Sequence, residues 1–291
     1  MLYDITHTTD YDYDHDVSVS HHLLHLAPRS LPYQRCRRHE LSVEPSPTVV
    51  NEHVDYFGNH AAFLTLNTAH KHLRIVARSL VEVSPVLPPD PSGTVPWEEA
   101  RDQGGTDASV LAGEFVFASP LIKPLARYGE FAAPSFPPGR PCLEAVIDLT
   151  RRIYNEFTFD PDATSLATSI EEVFAQRRGV CQDFAQFEIA ALRAMGLPAR
   201  YVSGYIETIP PPGKARLVGA DASHAWLACY CAPFGWIDVD PTNNLLPSGR
   251  HVTLAWGRDY GDISPVRGVL MGSGGHSSKV AVDVLPLPDE A

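Results

Sequence analysis

The stretch RRGVCQDFAQFEIAALRAMGLPARYVSGY, residues 177–205, holds a tight turn, a helix and a strand in that order, and the rest of the chain is read outward from it. Gly179 lets the backbone turn sharply, residues 181–195 suit a helix, and Gly196 with Pro198 closes it, since glycine accepts the left-handed cap and proline forbids continuation. Cys181 stands at the start of that helix, where unpaired N–H groups supply partial positive charge and hydrogen bonds that favour a thiolate. The amide of Cys181 itself could face an oxyanion. From this stretch alone, a small buried hydrophobe is an equal reading of the same residue.

A nucleophilic thiol needs a base, and the base needs an orienter. DASHAWLACYCAPFGWIDVDPTNN, residues 221–244, offers both: His224 opens one strand, and Asp238 and Asp240 lie on the next, across a short turn holding Pro233 and Gly235. If the turn spans Cys231 to Gly235, Tyr230 faces Trp236, Ala228 faces Asp238, and Asp240 falls one diagonal step from His224 on the same face. Asp240 is therefore favoured over Asp238. A change of one residue in loop length would flip the parity, so the register is a testable expectation. The competing reading makes His224 a strand-end residue and Asp240 a turn residue ahead of Pro241.

Around this centre the pattern divides the chain. Period-two alternation in YDITHTTDYDY (3–13) and HLRIVARSLVEV (72–83), and more weakly near 17–26, 41–43 and 62–66, predicts an N-terminal antiparallel, sandwich-like β domain over residues 1–83. A proline-rich linker is expected over 84–110, then a core over 111–270, and a C-terminal strand and tail over 271–291 that could rejoin the β domain. Residues 142–157 carry a helical apolar rhythm after Pro141, and Ser169 with Glu172 forms a capping-box signature for a short helix ending near Gln176. The expected fold class is α+β.

Composition narrows the function. With 291 residues, 23 Lys+Arg against 35 Asp+Glu and a formal charge of −12, the chain repels phosphate backbones and anionic lipid, so nucleic acid and membrane are not expected partners. Five cysteines at unrelated spacings in a chain this long read as reduced thiols, and no apolar run reaches the length of a membrane span. A cytoplasmic location is expected.

RRGVCQDFAQ, MGLPARYVSGY, DASHAW and GWIDVDPTN, four separated motifs in the right order, resemble those of the bacterial branch of the transglutaminase-like superfamily. LAPRSLPYQ, DYFGN and HLRIVARSLVEV resemble that branch's N-terminal β region, and GRDYGDISPVRGV its C-terminal portion. The resemblance implies a papain-like core, helices on an antiparallel sheet, with Cys181 as nucleophile, His224 as general base and acid, and Asp240 holding the imidazole. It further implies thioester chemistry on an amide of a peptide or protein substrate, with no cofactor. Hydrolysis is expected ahead of transfer to an amine; a non-catalytic scaffold on the same fold is the rival.

Other residues are weighed more lightly. Tyr205, Ser223 and Trp226 are candidate substrate contacts, though Tyr205 and Trp226 could equally be core, and Gly204 either admits a substrate backbone or relieves a bulge. The segment TIPPPGKARLVGADAS, 208–223, is expected to rim the site or connect strands passively. His21, His22 and His25 invite a metal reading, but neighbours on a strand point to opposite faces, and Cys229 with Cys231 lacks further ligands, so no metal site is expected.

Overall fold

The structure, a computed structural model, describes residues 1–102, 110–164, 168–208, 223–272 and 274–288. Six strands come first: β1 (Leu2–Val17), β2 (Val19–Leu24), β3 (Gln34–Glu44), β4 (Val49–Val54), β5 (His60–Leu66) and β6 (His70–Val83). Short helices α1 (Trp97–Asp102), α2 (Val110–Gly113) and α3 (Ala126–Ala132) lead to α4 (Cys142–Glu156), the two-residue strand β7 (Thr158–Phe159), α5 (Ile170–Gln176), its parallel partner β8 (Arg178–Gly179), and α6 (Cys181–Ala194). The remaining strands are β9 (Ala199–Ile206), β10 (Ser223–Cys231), β11 (Gly235–Val239), β12 (His251–Gly257), β13 (Val266–Met271) and β14 (His276–Leu287). The protein is α+β, with three four-stranded antiparallel sheets.

Two sheets, ordered β14-β1-β6-β3 and β13-β2-β5-β4, face each other across a core of Tyr13, Val17, Leu24, Leu64, Leu66, Leu73 and Ile75. The alternation in β1 acts as expected: Tyr3, Ile5, His7 and Thr9 are buried while their neighbours are partly exposed. The C-terminal strand β14 pairs with β1, and β13 pairs with β2, so the sandwich takes in a strand from residues 266–271, inside the span read as core. Strands β4 and β13 escape a pattern search because they are exposed edges without a buried face, and β12 because both its faces are buried.

The third sheet, β11-β10-β9-β12, carries α6. The helix is buried along most of its length, with Phe184, Phe187, Ile189 and Leu192 in a core shared with Leu143, Val146, Leu149 and Ile153 of α4. Tyr3 and Ile5 of β1 and Val282 and Val284 of β14 belong to the same core, so the N-terminal sheet is packed onto the α6 unit. The capping box forms as the sequence predicts, Ser169 with Glu172, and α5 ends at Arg177 with φ of 54°. Within the proline-rich segment, Val95 N–H donates to Ala232 and its carbonyl accepts from Cys142, and Ala100 of α1 is buried. Residues 91–102 are thereby packed against the start of α4 and the end of β10.

Candidate active site

The turn into α6 is built so that a thiol ends up at the first helical position. Val180 is the N-cap, and the Asp183 carboxylate turns back to accept its N–H at 2.9 Å and the Thr164 hydroxyl at 2.7 Å. A Cβ at Gly179 would stand 2.7 Å from that carboxylate oxygen, so only glycine permits the approach. Asp183, a negative charge two residues from the sulfur, is thus directed at the backbone. Asp183 N–H donates to the Val180 carbonyl at 3.0 Å, while the N–H groups of Cys181 and Gln182 precede the first helical acceptor and can face a substrate oxygen.

Strands β10 and β11 pair in the expected register, Tyr230 with Trp236 and Ala228 with Asp238, and β11 ends at Val239. Asp240 follows in the turn and accepts from His224 Nε2 at 2.7 Å. The other face of the imidazole lies in hydrogen-bonding reach of Cys181, which leaves Nδ1 as the nitrogen facing the sulfur. Burial works against a charged ring at His224, but hydrogen bonds to Asp240 and Cys181 outweigh it and push the group up to about 10. Burial likewise opposes a charged Asp240, yet the donors from His224, His251 and Asn243 hold its carboxyl well below the usual carboxylate range. Oδ1 takes the backbone N–H groups of Thr242 and Asn243, and Oδ2 takes the Asn243 amide at 2.8 Å.

Cys181 and His224 line a cleft of about 480 Å³ together with Gln182, Ser203 and Ser223. Of the three candidate substrate contacts, Ser223 lines this cleft and Tyr205 and Trp226 do not. The Tyr205 hydroxyl is bonded to His7 Nδ1 at 3.0 Å, and Trp226, fully buried, packs its ring against His224 and edge-on against His251. Trp226 shares the strand face of His224 two residues on, so it lies beneath the imidazole instead of beside a substrate. The space beside Gly204 is filled by Trp226 and the Val252 carbonyl, where a Cβ would come within 2.5 Å and 2.1 Å, so that glycine serves strand packing. The expected rim segment, 208–223, lies outside the described residues between Thr208 and Ser223.

Sequence reasoning missed His251. It opens β12 and its Nε2 donates to Asp240 Oδ2 at 3.1 Å, so two imidazoles share one carboxylate oxygen. The signal was available as a seven-residue run, HVTLAWG, behind Gly249 and Arg250, but its burial on both faces removes the alternation that marks a strand. Among the described residues His224, Asp240 and His251 are also the one set of three potential metal-ligand atoms lying within 4.8 Å of one another. His21, His22 and His25 are instead partnered separately, with Thr65, with Ser20, and with Ser264 and Asp55.

Residues 3–82 match the bacterial transglutaminase-like N-terminal region, and residues 132–241 match the transglutaminase-like superfamily over the segment that holds Cys181, His224 and Asp240. The chain belongs to the transglutaminase-like superfamily. Uncharacterized proteins of Mycobacterium tuberculosis and Mycobacterium bovis are 41% identical to it over 99% of this chain and 94% of theirs. A protein-glutamine gamma-glutamyltransferase of Pseudomonas aeruginosa is 34% identical over 38% of this chain, but over 18% of its own length. A solved structure of a candidate cysteine protease from Cytophaga hutchinsonii superposes with a TM-score of 0.76 at 22% identity, covering 100% of this chain and 92% of that one. That likeness extends the superfamily fold to both the sandwich and the α6 unit.

Proposed function

We propose that this transglutaminase-like protein is a thiol-dependent acyl-transfer enzyme that acts on amide bonds and hands the acyl group to water. The observation that carries the reading is Cys181 and His224 lining one cleft, with the buried Asp240 carboxylate behind them accepting from His224 Nε2 at 2.7 Å. His224 takes the thiol proton through Nδ1 as the sulfur attacks the carbonyl carbon. The oxyanion forms against the free N–H groups at the start of α6. Collapse breaks the C–N bond, His224 returns the proton to the departing amine, and a thioester remains. Water, deprotonated by the same imidazole, then cleaves the thioester to a carboxylate and the free thiol. Asp240 holds Nε2–H, so the proton taken from the sulfur resides on Nδ1 of the imidazolium until the departing amine takes it.

The raised basicity of His224 suits this order of events, because a stronger base accepts the thiol proton more readily. All five cysteines are unbonded, which fits a reducing, cytoplasmic setting. No described helix is long and apolar enough to cross a membrane. A second reading, transfer to a primary amine, draws on the name of the Pseudomonas aeruginosa relative. Digestion of a peptide library, compared with the Cys181→Ala variant, tests the main reading: Cys181-dependent new carboxyl termini or deamidated glutamines support it. Stable amine adducts predominating in the presence of excess primary amine, read by mass spectrometry, would select the second. No Cys181-dependent product in either experiment would leave a binding protein.

A further inference from the structure

The cleft beside Cys181 has a wall that the core does not supply. The β1 and β14 strands pair Ile5 with Val284, His7 with Val282, Thr9 with Val280 and Tyr11 with Ser278, all on one face of the N-terminal sheet. Along that face burial fades by register. Ile5 and Val284 are sealed in the core shared with α6, His7 and Val282 follow them, and at the next pair Val280 emerges 53% exposed. Residues His7, Thr9, Tyr11, Ser278, Val280 and Val282 all line the cleft. One face therefore docks the sheet at one end and meets a substrate at the other.

Its position is fixed. His7 Nδ1 is bonded to the Tyr205 hydroxyl of β9 at 3.0 Å and Nε2 to Thr9 at 3.0 Å, which ties the wall to the sheet that carries His224. Burial disfavours a charged ring there and holds His7 down at about 4. Opposite stand Tyr201 and Tyr260, ring against ring at 6.2 Å, with Pro265 and Val266 continuing the apolar surface. Among the described lining residues there is no Asp, Glu, Lys or Arg, although one residue in five of the chain is charged.

We propose that the cleft takes amide substrates whose acyl portion carries an uncharged, apolar or aromatic side chain, and that the β1–β14 face is the surface that receives it. A charged side chain there would lose water with no Asp, Glu, Lys or Arg among the described lining residues to pair with, whereas an aliphatic or aromatic one covers Val280 and the tyrosine rings. The Tyr11 phenol and the Ser278 hydroxyl leave hydrogen bonds for the substrate backbone. The inference rests on Cys181 being the nucleophile of this site.

The test uses dipeptidyl vinyl sulfones with Phe, Leu, Glu or Lys next to the electrophile, their labelling of Cys181 followed by mass spectrometry and divided by the iodoacetamide rate of the same variant. Phe and Leu probes should exceed Glu and Lys probes by about 10-fold or more. Val280→Asp should lower the Phe and Leu ratios and raise that of Lys, and Val280→Lys should raise that of Glu. The opposed charges make a shared folding defect distinguishable from a change of preference. Charged probes reacting as fast as apolar ones, or both variants keeping the wild-type ranking, would overturn the proposal. If iodoacetamide labels Cys181 no faster than Cys36, the thiol-enzyme reading itself fails. Binding of N-acetyl-phenylalaninamide to Cys181→Ala, weakened by Val280→Asp in calorimetry, would then still support the wall, and no binding would overturn it.

Discussion

Asp240 accepts from five donors, and their division between its two oxygens predicts what each nearby substitution does. The backbone N–H groups on Oδ1 set the turn, and the side chains on Oδ2 set the imidazole. Asp240→Asn keeps the shape but offers an amide N–H or a neutral oxygen where His224 needs an anion. The expected result is a fall in kcat of about 10³- to 10⁴-fold, with the His224 titration, followed by NMR, dropping from near 10 to 6.5 or below. His251→Leu removes one Oδ2 donor without touching the sulfur, so a loss of about 10-fold in kcat with little change in KM is expected from looser aim of His224. A shift of the pH profile together with kcat would mark His251 as a positioning residue; loss of thermal stability alone would mark it as packing. Cys181→Ala should abolish turnover and leave the melting temperature nearly unchanged, since the thiol is only half-buried. Cys181, His224 and Asp240 were legible because each stands at an element end whose punctuation, Gly179, the Pro233 turn and Pro241, is local. His251 opens a strand whose burial on both faces leaves no alternation and whose pairing with β9 is set by tertiary packing, so its reach to Asp240 is not written in its local pattern.

At the scale of elements, α6 carries a feature that only packing reveals. Glu188 is fully buried on its core face, accepts from the Thr150 hydroxyl of α4 at 2.7 Å, and has no partner for Oε2. Burial pushes its carboxyl up to about 8 from 4.5, opposed by the Thr150 hydrogen bond and aided to a smaller degree by the nearby Asp240 charge. A raised carboxyl binds its proton in the folded chain first, so its contribution to stability is highest below pH 4.5 and falls as pH rises toward 8. Glu188→Gln keeps the shape and the Thr150 contact without the ionisation. The variant should therefore melt several degrees above wild type at pH 8.5, about 2–4 °C for each kcal/mol removed, and within experimental error of it at pH 5. Equal melting at both values would show that Glu188 is not forced to ionise. The helix itself was readable from its cap and terminator, and the capping box of α5 from Ser169 and Glu172. The short helix α1 was not, because Trp97–Asp102 forms between proline clusters and is held by Val95 and Ala100 against residues more than 40 positions away.

Over the whole molecule, the division into a β region and an α+β core was visible in the switch from period two to the helical rhythm. How the two meet was not, since the contacts pair residues about 200 apart. His7 is where that junction can be tested. The ring is 1% exposed and lies between the hydroxyls of Tyr205 and Thr9, each at 3.0 Å. Burial lowers it from 6.5 to about 4, so as pH falls through 6.5 the unfolded chain takes up its proton first. The folded chain follows only near 4, and stability falls between those values by about 3 kcal/mol before levelling off. His22, lowered to about 4 by burial and its neighbours His70 and His21, adds to the loss in the same window. In His7→Gln the side-chain carbonyl can accept from Tyr205 and the amide can donate to Thr9, with nothing left to titrate. Urea unfolding at pH 7 and pH 4.5 should then show a smaller acid loss for the variant than for wild type, with similar stability at pH 7. Because the same ring fixes the wall of the cleft, wild-type KM for an apolar substrate should rise in step with the acid loss while that of His7→Gln stays level. An equal acid loss in both proteins would remove His7 from the junction.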